Sequence, residues 1–220
     1  MAAVYISATM KTTPRLHLDA SLAAGAEIAL IREQTHYLVN VLRLSPGDPL
    51  RAFNGRDGEW LCYLIDGGKR QARLRCEKPT AAVRPPPDID YVFAPIKHAR
   101  LDYVVQKATE LGARRLRPVI TARTIAQRVN LDRMRANAIE AAEQCNLVFV
   151  PEVTEPETLA AIMARWPSGR ALVHCDEAAP LADPLATLSR LALPAAVLVG
   201  PEGGFTVEEQ AMLRSHPSAT

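Results

Sequence analysis

The apolar positions of this chain follow two different periods, and the change between them divides it. Up to about residue 84 they fall in short runs: "RLHLD" at 15–19, "EIALI" at 27–31, "PLRAF" at 49–53, "GEWLCYLI" at 58–65 and "RQARLRC" at 70–76. Between these runs stand Pro46–Gly47–Asp48, Asn54–Gly55–Arg56–Asp57–Gly58 and Asp66–Gly67–Gly68, which supply positive φ and tight hairpins. One stretch, "EQTHYLVNVLR" at 33–43, has helical spacing, with Tyr37, Leu38, Val41 and Leu42 on one side. The pattern predicts a small β-barrel with one helix.

After "VRPPPDID" at 83–90, whose successive prolines read as a stiff connector, strand and helix patterns alternate. "DYVFAPI" (90–96) precedes "ARLDYVVQKATELG" (99–112), where Leu101, Val104, Val105, Ala108 and Leu111 recur at helical spacing and Gly112 stands where a glycine cap belongs. "RLRPVI" (115–120) precedes a helix capped by Asn130 and running to about Cys145; Val148–Val150 is the next predicted strand, followed by a helix with Pro156 in its first turn, ending near Trp166. "ALVHC" (171–175), a helix around 180–190 and "AAVLV" (195–199) complete the series. Short apolar strands alternating with amphipathic helices predict a parallel α/β sheet covered on both faces, with ligands bound beyond the carboxyl ends of the strands. The expected domains are a β-barrel over 1–84 and an α/β domain over 85–220.

Composition narrows the class without naming a function. With 48% hydrophobic and 23% charged residues, the chain belongs to neither the disordered nor the collagen-like class. No apolar run approaches the roughly 20 residues of a membrane-spanning helix, and "MAAVYISATMKTTPRL" lacks the layout of a secretory signal, so no membrane partner is expected. Cys62, Cys76, Cys145 and Cys175 form no CxxC pair, and His17, His36, His98, His174 and His216 have no ligand spacing. A cytoplasmic setting and no metal follow as expectations. Charge is less even than the net +2 suggests: residues 97–135 hold ten Lys/Arg against three acids, whereas 136–220 are acidic. Clustered arginine suits a polyanion, and solvated helix faces are the alternative.

The chemistry concentrates in "AAVLVGPEGGFTVEEQ" at 195–210, a glycine turn between a strand and a helix. Such turns usually cradle phosphate, but Glu202 would repel it, and Phe205–Thr206 follow Gly204 where a P-loop carries Lys and Ser or Thr. A cationic, hydroxyl-rich ligand without phosphate fits better. S-adenosylmethionine (SAM) is such a ligand, NAD fits less well, and a tight turn with no ligand remains open. No Ser stands at a nucleophile elbow, so hydrolase readings fall away. In the barrel, Arg43, Arg51, Arg56, Phe53 and Trp60 are candidates for an RNA-facing surface. "EAAEQC" sets Glu140 and Glu143 in a helix's last turns, against the macrodipole.

Taken in order, "PRLHL" (14–18), "HYLVNVLRLSPGD" (36–48), "KHARLDYVVQKATELGARRLRPVIT" (97–121), "EAAEQCNLVFVPEV" (140–153) and "LVGPEGGFTVEE" (198–209) resemble the RsmE family of ribosomal RNA methyltransferases, within the SPOUT superfamily of knotted α/β methyltransferases. The resemblance implies a PUA-like β-barrel joined to a SPOUT (trefoil-knot) parallel α/β domain that binds SAM. It also implies methylation of N3 of one uridine in 16S rRNA of the small subunit, by a homodimer. Cofactor-binding residues expected on this basis are His174, Glu177, Val199, Gly200, Pro201, Glu202, Gly203 and Gly204; RNA-binding ones are Arg15, Arg43, Lys97, Lys107 and Arg123, and no catalytic base is assigned. The chain departs from the family in its residues 1–13, at Asn146–Leu147, where an arginine is usual at the second position, and at Thr220, beyond which the family has a further strand, "LGxRILRxETA" and a helix. The knot is therefore expected to be incomplete, one wall of the SAM pocket missing, and strand 195–199 left as an apolar edge. A non-catalytic RNA-binding protein is the alternative if the chain ends there.

Overall fold

The computed structural model describes residues 13–68, 71–126, 128–176 and 183–219. The chain divides into two compact units, Met1–Val83 and Arg84–Thr220.

In the first unit β1 (Arg15–His17), β2 (Glu27–Ala29), β3 (Pro49–Phe53), β4 (Glu59–Asp66) and β5 (Arg73–Ala81) form a mixed sheet in the order β1-β3-β4-β5-β2. Period-two alternation carries it: in β5, Leu74 and Cys76 are buried while Arg73 and Arg75 are exposed. β1 and β2 are the sheet's two edges and do not pair, so the predicted barrel is an open half-barrel. A helical segment lies at the opening, α1 (Arg32–Thr35) continuing as a π-helical turn (His36–Val41). Gln34 Nε2 donates to His17 O of β1 at 3.2 Å, and Thr35 Oγ1 accepts from Ala72 N at 3.1 Å, just before β5. Leu38 is fully buried among Leu16, Leu50, Leu64 and Leu74. The expected helix over 33–43 is thus wider than an α-helix, its Leu42 N bonding Tyr37 O, and it ends at Arg43 with φ +56.

The second unit holds β6 (Ile89–Phe93), α2 (His98–Glu110), β7 (Arg115–Ile120), α3 (Leu131–Gln144), β8 (Glu152–Val153), β9 (Glu157–Thr158), α4 (Leu159–Ala164), β10 (Ala171–His174), α5 (Pro184–Leu188), β11 (Ala195–Val199) and α6 (Val207–Arg214). The strands are parallel in the order β10-β11-β6-β7-β8, with β9 also against β7. Consecutive residues of β6 show why both faces are covered. Phe93 packs with Leu101 and Val105 of α2 and Met134 of α3, and Val92 with Leu159 and Ile162 of α4 and Leu213 of α6. Gly112 ends α2 at φ +87, its N–H on Thr109 O and that of Ala113 on Ala108 O, the paired bonds of a Schellman cap.

Two expectations change. Val148–Val150 is not a strand; pairing begins at Glu152, which meets Arg115 of β7. Strand 195–199 is not an edge, because β11 lies between β10 and β6. The edge on that side is β10, where Leu172 N donates to Ser218 O at 2.7 Å and Leu172 forms a parallel bridge with Ala219.

Candidate active site at the carboxyl ends of the parallel strands

Because the strands run one way, the loops after Phe93, Ile120, His174 and Val199 emerge at the same end of the sheet. The glycine turn is one of them. Val199 closes β11 with its carbonyl accepting from Ala94 N at 3.0 Å. A Cβ on Gly200 would lie 2.7 Å from Phe205 Cε2, so the buried phenyl ring needs glycine there. Pro201 is buried and its carbonyl accepts from Gly204 N at 2.9 Å, which leaves Glu202 and Gly203 at an exposed tip. Gly204 takes φ +67, a left-handed conformation that suits glycine. Thr206 then caps α6: its Oγ1 accepts from Glu209 N at 3.2 Å, and Glu209 Oε2 accepts from Thr206 N at 2.9 Å.

The loop after β7 is clamped to this turn. Glu209 Oε1 accepts from Ala122 N at 2.8 Å, and Arg123 Nη1 donates to Gly203 O at 2.8 Å. Buried Thr121 and Thr124 hold the loop's shape, Thr121 N donating to Thr124 Oγ1 at 2.9 Å. Arg123, expected among the RNA-binding residues, therefore stands at the glycine turn.

His174, the last residue of β10, sets its ring edge-on to Phe205 at 5.1 Å between centroids, and its Nε2 is buried without a hydrogen-bond partner among the described residues. Burial holds the imidazole below its ordinary pKa, with Asp176 pulling it up and Arg214 pushing it down. Glu177 lies outside the described residues. Phe205 and Glu209 were not singled out in the sequence, although "TVEE" carries the Thr-x-x-Glu spacing of a capping box.

The basic segment is sorted by position along the strands. At the amino ends Asp90, fully buried, takes two bonds of 2.7 Å from Arg115 and one of 3.3 Å from Arg117, while Asp88 binds Arg114 at 2.8 Å and Arg170 at 2.7 Å. Arg170 holds the Asp88 carboxyl below its usual range. Lys107 pairs with Glu110 at 2.7 Å, Arg135 with Asp132 at 3.1 Å, and Arg133 with Asp102. Lys97, Arg100 and Arg128 have no carboxylate partner among the described residues, Arg123 makes no salt bridge there but, beside hydrogen bonds from the Glu208 N–H and Thr206, helps hold the Glu208 carboxyl low, and all four are exposed. They lie in the loops and first helical turn beyond the carboxyl ends of β6 and β7. Lys107 is apart from them, in the second half of α2, in a groove with Tyr91, Tyr103, Leu111 and Val197.

In the first unit Arg15 is buried, with Nε donating to Glu59 Oε2 at 2.6 Å and its guanidinium 4.5 Å from the Phe53 ring centroid. Arg51 reaches the same carboxylate at 3.4 Å, and Phe53 is fully buried. Trp60 donates Nε1 to Asp57 O, and Arg56 approaches Asp19 at 3.5 Å. Arg43 is exposed. Arg15 and Phe53 thus build the interior, whereas Arg43 and Arg56 are the candidates that face solvent. Asn146, the residue after Cys145, has φ +56 beyond the end of α3, so its place follows from the backbone.

A parallel sheet with a glycine turn at its carboxyl ends, exposed cations in the loops at those ends and a second unit built on a mixed sheet define a two-unit protein of the parallel α/β class. Comparison with known proteins identifies its family. The model described as RNA methyltransferase domain matches residues 84–219, and that described as RNA methyltransferase PUA domain matches residues 30–76. The chain belongs to this RNA methyltransferase family. Ribosomal RNA small subunit methyltransferase E of Rickettsia conorii is 29% identical over 92% of this chain and 83% of its own length; that of Synechocystis is 32% identical over 84% and 62%. Among solved structures, the Neisseria gonorrhoeae methyltransferase E bound to SAM aligns with TM-score 0.81 and 25% identity, covering 94% of this chain and 88% of that one. A putative Legionella pneumophila methyltransferase in complex with SAM aligns with TM-score 0.80 and 25% identity, covering 94% and 87%.

Proposed function

We propose that this chain transfers the methyl group of SAM to N3 of one uridine in 16S rRNA of the small subunit, in the cytoplasm and as a homodimer. The observation that carries this reading is the Gly200–Gly204 turn at the carboxyl end of β11, in a chain whose structural relatives bind SAM.

The residues at that end suit SAM. Nothing lies within 4 Å of a Cβ placed on Gly204, and only Arg123, at 3.6 Å, meets one on Gly203, so a ligand can approach the backbone closely. Exposed Glu202 complements the amino and sulfonium cations, and the unpartnered His174 Nε2 offers a hydrogen bond. SAM, when bound, supplies an electrophilic methyl carbon. The chain's own task is to hold the uracil ring in line and to favour loss of its N3 proton. Alignment of well-oriented partners contributes up to roughly 7–11 kcal/mol. The Arg123 guanidinium, anchored on Gly203 O, keeps further N–H donors for the negative charge that develops on the ring, a contribution of roughly 10²–10³ in rate for one well-placed donor.

The test is methyl transfer from methyl-labelled SAM to 16S rRNA, followed by nucleoside analysis. Label as N3-methyluridine is expected. RNA binding with no transfer would establish the non-catalytic alternative, and label on another nucleoside would correct the substrate.

A further inference from the structure

Beyond the carboxyl ends of β6 and β7 is a cavity of about 570 Å³, between the loop after β6, the loop after β7 and the first turns of α2 and α3. Its size falls within the roughly 300–1,000 Å³ of small-ligand pockets. Ile96, Leu101, Ile125 and Met134 give it apolar walls; Leu101 and Met134 belong to the core, whereas Ile125 is 69% exposed. The rim is cationic. Lys97 and Arg128 line it without a carboxylate partner among the described residues, while the Arg133 charge is taken up by Asp102, which also accepts from Asn137 Nδ2 at 2.7 Å.

An apolar interior with two free cations at the mouth matches a group that is flat and weakly polar at one end and phosphorylated at the other. Position supports the match. The loop after β7 turns one part of itself, Ala122 and Arg123, to the glycine turn, and Ile125, Ala126 and Arg128 to this cavity. A base-paired duplex hides such flat groups, whereas single strands and loops can splay them out.

We propose that the recess receives one unstacked nucleotide of the RNA substrate, its base against Ile96, Leu101, Ile125 and Met134 and its phosphates on Lys97 and Arg128. The inference rests on the RNA methyltransferase reading above and adds to it the place where the strand enters. Charge complementarity selects RNA over an apolar peptide as occupant.

The test uses the intact chain and two fluorescein-labelled probes, a decauridylate RNA and an abasic ribose-phosphate decamer, read by fluorescence anisotropy over a salt series. Lys97→Glu/Arg128→Glu should weaken both probes at least tenfold. Each phosphate contact on a single strand contributes about 0.7 to the slope of log affinity against log salt, so this slope should flatten by about 1.4. Ile125→Ser should weaken decauridylate by about fivefold to tenfold, as expected for an apolar contact of this size, and leave the abasic probe unchanged. SAM titration calorimetry on the same proteins separates the two readings. Wild-type affinities and slopes in both variants would overturn the recess while SAM binding left the reaction standing. Absence of SAM heat beside variant-sensitive RNA binding would sink the reaction and support the recess. No binding of either probe by the wild type would overturn the recess.

Discussion

Arg123 and Gly203, eighty residues apart, are joined by a 2.8 Å hydrogen bond from the guanidinium to the turn carbonyl, with Arg123 Cβ and Cδ each 3.6 Å from where a Gly203 Cβ would stand. The turn and the loop after β7 are therefore joined into one wall.

That spacing separates two substitutions at Gly203. An alanine methyl makes ordinary contact at 3.6 Å, so Gly203→Ala should keep SAM affinity within a few fold. Gly203→Arg fills the turn and sets a second cation against Arg123, and calorimetry should find no SAM heat. Equal SAM affinity in wild type and Gly203→Arg would remove this turn from the cofactor site.

Gly200 answers to Phe205 instead. Gly200→Ala forces a contact of 2.7 Å on a buried ring, and overpacking of this kind costs roughly 1–3 kcal/mol. Urea unfolding should show that loss, and Phe205→Leu in the same chain should recover part of it. Additive losses in the double variant would mean that the two residues do not constrain each other.

Arg15 should behave as a structural residue. Its side chain and that of Glu59 are 4% and 5% exposed, and removing one partner of such a pair typically costs about 3–5 kcal/mol. Arg15→Ala should lose stability on that scale in chemical denaturation and leave the salt slope of RNA binding unchanged. Arg43→Ala, at an exposed position, should do the reverse.

His174 gives the site a pH dependence. Burial lowers its folded-state pKa below the ordinary 6.5. The unfolded chain therefore takes up this proton first as pH falls through 6.5, and stability declines until the folded pKa is passed. Protonation also sets a cation beside cationic SAM, so SAM affinity should be level from about pH 8 to 7 and fall below the ordinary histidine range near 6.5. The same titration on His174→Gln, compared with wild type, isolates this group from His17, which burial also lowers. An unchanged acid limb in the variant would remove His174 from the explanation.

The α/β unit was the more legible part of the sequence, for a physical reason. β7 and β11 fall at 115–120 and 195–199, where the pattern puts them: β11, covered on both faces, is apolar throughout, and β7 is apolar apart from Arg115 and Arg117, whose charges meet Asp90. Val148–Val150 shows the limit of that rule: an apolar triplet can fill a loop, and where pairing starts is decided by a neighbour, here Arg115 opposite Glu152. The glycine turn was found from local chemistry. Its lock onto Arg123 was not, since nothing in the order of residues joins positions 123 and 203. The arginines were visible as a cluster, but which carry free charge depends on Asp88 and Asp90 opposing some of them at the amino ends of the strands.

That sorting of charge makes the α/β unit an oriented object for any approaching polyanion. Arg114, Arg115, Arg117 and Arg170 share the Asp88 and Asp90 carboxylates at one pole, which damps their pull, whereas Lys97, Arg100 and Arg128 at the pole where methyl transfer is proposed have no salt-bridge partner among the described residues. A protein of net charge +2 can in this way collect RNA from one direction. Its association rate then depends more steeply on Lys97, Arg100, Arg123 and Arg128 than on the arginines that share Asp88 and Asp90.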